Sequence, residues 1–180
     1  MIAALIRHSG SRGDAVRSVT ARVERTAETL LLAYVVEGEL ERLRLPEAVS
    51  PRIAENLWRH TCCELFVARK GAPAYHEFNF APSGEWAAYA FERYREGAPL
   101  ADETLDPRIA VRRSAHRLEL SASVALERLS LAGAALSIGL SAVIEESDGA
   151  LSYWALAHPP GKPDFHHTAA FALELDEARD

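Results

Sequence analysis

The clearest segments of this chain alternate apolar and polar residues with a period of two. Val19, Ala21, Val23 and Arg25 alternate with Ser18, Thr20, Arg22 and Glu24, the pattern of a strand with one buried face. In His116–Val124, Leu118, Leu120 and Ala122 oppose Glu119, Ser121 and Ser123. Together with Ile109–Arg113 this segment predicts a hairpin. Thr29–Glu37 is apolar in both phases and predicts a central strand.

The stretch from Leu57 to Gly97 gathers two of the three tryptophans and most of the tyrosines and phenylalanines. It predicts three strands, Glu64–Ala68, Ala74–Ala81 and Glu85–Tyr94, with turns at Lys70–Pro73 and Pro82–Gly84. The third is alanine-rich and helix-prone by propensity. The Pro-Ser-Gly turn and the spacing of Tyr89 and Phe91 favour a strand. Leu136–Glu146 and Leu151–Ala155 flank Ser147-Asp148-Gly149, a hairpin turn, and Ala169–Leu175 predicts a last strand. Gly38–Pro51 reads as a loop or short edge strand and Glu96–Pro107 as a polar loop. Helical turns are expected at Ser50–Leu57 and Ala125–Leu129. His158–His167 holds three prolines and a glycine, so it is irregular. Nine or ten strands with few helices predict an all-β fold, a two-sheet antiparallel sandwich of immunoglobulin-like or jelly-roll type, as one domain over residues 1–180.

Composition narrows the function classes. The apolar share of 48% and charged share of 26% are those of a soluble globular chain. A net charge of −6 with scattered arginines argues against nucleic acid. No apolar run reaches the length of a membrane helix, and Met1–Ile6 lacks the features of a signal peptide, so a cytoplasmic location is expected. Cys62 and Cys63 are adjacent, and strand geometry sends them to opposite faces, so two reduced thiols are expected.

Several residues are candidates for chemistry. Period two puts Tyr75, Glu77 and Asn79 on one face and His76, Phe78 and Phe80 on the other. The phenylalanine face is core, and the Tyr-Glu-Asn face is either solvated or a binding surface. Trp86 shares a face with Ala88 and Ala90, either a floor for a planar ligand or part of the core, and Trp58 and Trp154 pose the same choice. Glu64 sits in an apolar run and needs a partner, for which Arg59 and Arg93 are in sequence reach. The loop presents His158, Lys162, Asp164, His166 and His167. Its spacing fits no zinc pattern, and a proline-stiffened rim showing Lys162, Asp164 and His166 to a ligand is the better reading. Nucleophile-elbow, phosphate-loop and dinucleotide motifs are missing from the sequence. No cofactor and no metal site is expected.

Trp58, Glu64-Leu65-Phe66-Val67 and Tyr75-x-Glu77-Phe78-Asn79-Phe80-x-Pro82-x-Gly84, followed by Ser152-Tyr153-Trp154, His158-Pro159 and Lys162-Pro163-x-Phe165, together resemble the DOMON-like superfamily. Within it, the pattern is similar to family 9 carbohydrate-binding modules. The resemblance implies a non-catalytic β-sandwich whose relatives bind sugars or haem, with aromatic side chains clamping a saccharide and polar groups reading its hydroxyls. Where the sugar-binding modules carry an acidic pair, this chain has Arg59-His60-Thr61-Cys62-Cys63. The expected function is binding of a small ligand, a carbohydrate or glycan fragment, through Trp86, Trp154, Tyr75, Glu77, Asn79, His158 and Lys162. The alternatives are a small hydrolase or lyase, using His158 or His166 with Glu77 or Asp164, and a protein-interaction domain.

Overall fold

A computed structural model describes residues 1–178 and arranges them as two antiparallel sheets packed face to face. The strands are β1 (Ile2–Ala4), β2 (Ile6–Arg7), β3 (Val16–Arg25), β4 (Thr29–Gly38), β5 (Cys62–Arg69), β6 (Tyr75–Phe80) and β7 (Trp86–Arg93). The chain continues with β8 (Glu96–Pro99), β9 (Arg108–Arg113), β10 (Arg117–Ala125), β11 (Leu136–Glu145), β12 (Leu151–Ala155) and β13 (Leu173–Leu175). The smaller sheet runs β1-β3-β4-β10-β9, and the larger runs β2-β12-β11-β5-β6-β7-β8. Helix is limited to short 3-10 turns, and among the described residues no helix is long and apolar enough to cross a membrane.

The smaller sheet follows its sequence pattern closely. Val19, Ala21 and Val23 on β3, Leu30, Leu32, Tyr34 and Val36 on β4, and Leu118, Leu120, Ala122 and Val124 on β10 point into the core. β4 is central, between β3 and β10, but Leu31 on its outer face stays exposed. Its second apolar phase therefore does not mean two covered faces. In the larger sheet, β5 and β11 are buried in both phases almost throughout. Cys63, Leu65 and Val67 face the other sheet, while Phe66 and Ala68 pack outward with Tyr75, Val143 and Phe165 in a second cluster. Sheet contact covers one face, so another segment must cover the other.

That segment is the connection between β12 and β13. Both strands pair with the same edge of β11: Ala155 opposite Ser141, and Leu173 opposite Ile138. Residues 156–172 therefore leave that edge, cross the outer face of the larger sheet and return to nearly the same place. The return is tight at Gly139, where a Cβ would stand 3.2 Å from both the Ala170 carbonyl oxygen and the Phe66 Cβ.

Several boundaries differ from expectation. Glu96–Pro99, expected in a polar loop, forms β8, because its backbone pairs with β7 although its side chains stay exposed. The helical turn expected at Ser50–Leu57 lies instead at Leu57–Arg59, with Asn56 before it in the left-handed conformation at φ 60°, which asparagine tolerates well. Thr168–Ala170 is a 3-10 turn, so the last strand is only Leu173–Leu175. Two short N-terminal strands, β1 and β2, add one edge strand to each sheet.

Candidate functional site

Residues directly opposite one another in an antiparallel ladder share a face. Glu64 stands between Asn79 and Ser141, Glu77 between Phe66 and Tyr89, and Tyr75 opposite Phe91. These side chains, with Val143 on β11 and Leu151 and Tyr153 on β12, make one surface on the outside of the larger sheet. Pro163, Phe165 and His166 roof it from the loop, Trp58 and Arg59 stand at one side, and Arg95 enters from the turn between β7 and β8. A cavity of about 680 Å³ lies between the sheet and these elements.

The floor is acidic and buried. Glu64 is 2% exposed and Glu77 5%. The Ser141 hydroxyl donates to Glu64 Oε2 at 3.1 Å, and the Cys62 thiol lies 3.8 Å from Oε1. From the far side of the core, the Tyr34 hydroxyl donates to the Glu64 backbone carbonyl at 2.6 Å, tying the two sheets together beneath the floor. Asn79 Nδ2 donates to Glu77 Oε1 at 2.8 Å. Neither carboxylate has a lysine or arginine in salt-bridge contact among the described residues. Arg93 instead pairs with Glu96 at 2.7 Å, and Arg59 lies over the Trp58 ring at 5.0 Å. This corrects the expected ion pair at Glu64, since both arginines reach toward solvent. Desolvation, and then the nearby Glu77, hold Glu64 well above the usual carboxylate range. Desolvation pushes Glu77 up to about 6 against the pull of Asn79 and Arg95.

His166 closes the site over Glu77. The Tyr75 hydroxyl accepts from the Arg95 backbone N–H at 3.1 Å and shares a hydrogen bond of 2.8 Å with His166 Nδ1. His166 Nε2 lies 3.6 Å from Glu77 Oε2, beyond hydrogen-bond reach. Desolvation, and then Arg95, bring His166 down to about 4, so near neutral pH this is a neutral imidazole beside a carboxyl group and not an ion pair. Arg95 is anchored to Asp164 at 2.8 Å. Its φ of 56° is left-handed, a conformation costing a non-glycine residue about 1–2 kcal/mol.

The structure divides the residues singled out from the sequence. Glu77 lines the cavity, Asn79 is buried beside it, and Tyr75 stacks on Phe91 at 4.6 Å behind His166; these three come together. Trp86 and Trp154 do not. At 3% and 4% exposed, they lie between the sheets, and Trp154 Nε1 donates to Ser152 Oγ. They are core residues and form no clamp on the outer face. His158 bonds the Ile6 carbonyl at 2.7 Å and stands edge-on to His8, away from the cavity. Lys162 is exposed on the roof's outer side, in a shallow groove with Arg95 and Asp164. Of the groups named for hydrolysis, His166 meets Glu77, whereas Asp164 is engaged by Arg95 and Tyr94. Among the described residues no group of three or more His, Cys, Asp or Glu is placed to hold a metal ion. Tyr89, Phe91, Arg95, Tyr153 and Phe165 were not among the expected contacts. Register identifies the first two, because Tyr89 is the cross-strand partner of Glu77.

No protein-family model matches the chain, and no curated protein matches it in sequence. Solved structures do match in fold. A candidate carbohydrate-binding protein from Bacteroides uniformis superposes with a TM-score of 0.73 at 17% identity, over 94% of this chain and 83% of that one. A family 9 carbohydrate-binding module from Caldicellulosiruptor kristjanssonii, in complex with glucose, superposes at 0.53 and 11% identity, over 84% of this chain and 72% of the module. The cellotriose complex of a family 9 module from the same organism gives 0.56 at 11% identity, over 89% and 75%. The chain therefore has the fold of these carbohydrate-binding modules.

Proposed function

We propose that this protein binds carbohydrate in the cavity on the outer face of its larger sheet. Trp58, Tyr89 and Tyr153 stack on the saccharide, while Glu77 and Glu64 take hydrogen bonds from its hydroxyl groups. The observation that carries the reading is the cavity itself, with aromatic rings as walls and a buried polar floor. Ring faces suit the C–H faces of a pyranose, and carboxyl groups suit its hydroxyls. The shared fold with modules seen in complex with glucose and cellotriose supports the reading, as does the resemblance in residue pattern.

Intrinsic fluorescence provides the test. Trp58 is the exposed tryptophan, at 46%, while Trp86 and Trp154 are enclosed. Titration with glucose, cellotriose and a panel of other mono- and oligosaccharides is expected to change emission saturably in the wild type and in Trp86→Phe, and not in Trp58→Ala. Absence of a response across the panel, by emission and by calorimetry, overturns the proposal. A second reading, a small hydrolase, draws on the approach of His166 to Glu77 and the raised carboxyl groups. Release of reducing sugar from an oligosaccharide, lost in Glu77→Gln, would mark it.

A further inference from the structure

We infer that the saccharide taken by this pocket carries a free amine, its ammonium group seated against Glu77 and Glu64 beneath the aromatic walls. The inference rests on the carbohydrate reading and narrows its ligand class.

A floor built only to read hydroxyls has no need of two acids. Burying an ionisable carboxyl is costly unless a cation compensates it, and here none is in contact with either group. Glu77 Oε2 lines an open cavity with no hydrogen-bond donor in reach; its nearest basic group is His166 Nε2, at 3.6 Å and neutral. Desolvation raises both acids, Glu77 only to about 6, so near neutral pH the floor carries negative charge with no cation in contact with either group. The two arginines at the rim offset it only in part, and neither touches a floor carboxyl. Arg95 is held by Asp164, and Arg59 lies exposed against Trp58, where water screens it.

The walls fit the same ligand. Phe91 and Tyr89 flank Glu77 on the next strand, and Phe165 and Tyr153 face them across the cavity. Aromatic faces around a carboxylate attract a desolvated ammonium, which gains from both the charge and the ring quadrupoles. A neutral hydroxyl gains a hydrogen bond to the carboxylate but carries no charge of its own to offset it and little attraction to the rings. An N-acetyl group has no charge to offer and adds bulk at the floor.

Three disaccharides with the same β-1,4 linkage and different 2-substituents isolate this effect: cellobiose, di-N-acetylchitobiose and its fully deacetylated form, the glucosamine dimer. Calorimetric titration at low salt and pH 7 is expected to rank the glucosamine dimer tightest, by about tenfold or more over both others. Glu77→Gln is expected to bring the three within about threefold while the melting temperature shows it folded. Glu64→Gln serves as the second acid variant. Equal affinity for all three sugars in the wild type overturns the inference and leaves the carbohydrate reading standing. Failure of all three, together with neutral mono- and oligosaccharides, overturns both. A thermal shift with calcium or zinc chloride that the amine does not reproduce also overturns it, since the floor is then a metal site. Should either variant fail to fold, the wild-type ranking decides.

Discussion

The outer faces of the two sheets treat charge in opposite ways. On the smaller sheet, Arg117 lies between Glu37 at 3.0 Å and Glu119 at 2.6 Å, and all three side chains are more than a third exposed. Water and cations hold those carboxylates at little cost, and the pairs add little stability. On the larger sheet, Glu64 and Glu77 sit on strands of the same kind, enclosed by a loop and without a cation. The difference lies in the cover and not in the strands. A segment laid over a polar sheet face turns an ordinary solvated acid into a costly one, and such a cost is commonly kept where a ligand removes it.

Replacing core and floor residues should separate packing from function. Trp154→Ala removes a ring enclosed between the sheets, and denaturant unfolding is expected to show a loss of about 3–5 kcal/mol. Glu77→Gln should act in the other direction. The folded state raises the Glu77 carboxyl from 4.5 to about 6, so it holds that proton more tightly than the unfolded chain does. The stability this contributes is fully present below the unfolded value and is lost as pH rises through about 6. Glutamine keeps the neutral form, so the variant is expected to match the wild type at pH 4 and to exceed it by about 2 kcal/mol at pH 7.5. Denaturant curves at the two pH values check this. His166 titrates in the opposite sense in both proteins, whereas the Glu64 carboxyl, raised in part by Glu77, falls in the variant and adds to its gain at pH 7.5.

The remaining two predictions concern exposed residues. Arg117→Ala should lower the melting temperature by no more than about 2 °C at low salt, an effect that disappears in molar salt. Trp58→Ala should leave unfolding within about 0.5 kcal/mol of wild type while abolishing the ligand-dependent emission change. A large stability loss at Trp58 would instead make it part of the packed structure and remove one wall from the proposed site.

The sandwich was readable because the smaller sheet repeats a clean two-residue period over β3 and β10, and because Asp-Gly and Pro-Ser-Gly punctuate the hairpins. β8 was not readable: Glu-Gly-Ala-Pro has neither alternation nor β-propensity, and only its pairing with β7 makes it a strand. The site was half readable. Period two placed Glu77 and Asn79 on one face, but it cannot say which face of a strand looks inward. For Trp86 the register supplied the missing fact, since Trp86 pairs with Phe80 and Ala88 with Phe78, and the phenylalanine face is the core. Trp86 therefore belonged inside, and Tyr89 and Phe91 belonged with Glu77. His166 and Phe165 reach the site through a loop without regular structure, and no local pattern reveals where such a loop lands.

That loop has a further property. It leaves and rejoins the same edge of β11, so the ladder that fixes the sheet is complete on either side of it. One wall of the pocket is thus a contiguous cassette, Leu156 to Ala172, whose two ends are about three residues apart along a single strand. Chain of different length or chemistry could replace it between Ala155 and Leu173 while the β5-β6-β7 floor stayed in register. That wall of the pocket can therefore be exchanged with a single graft.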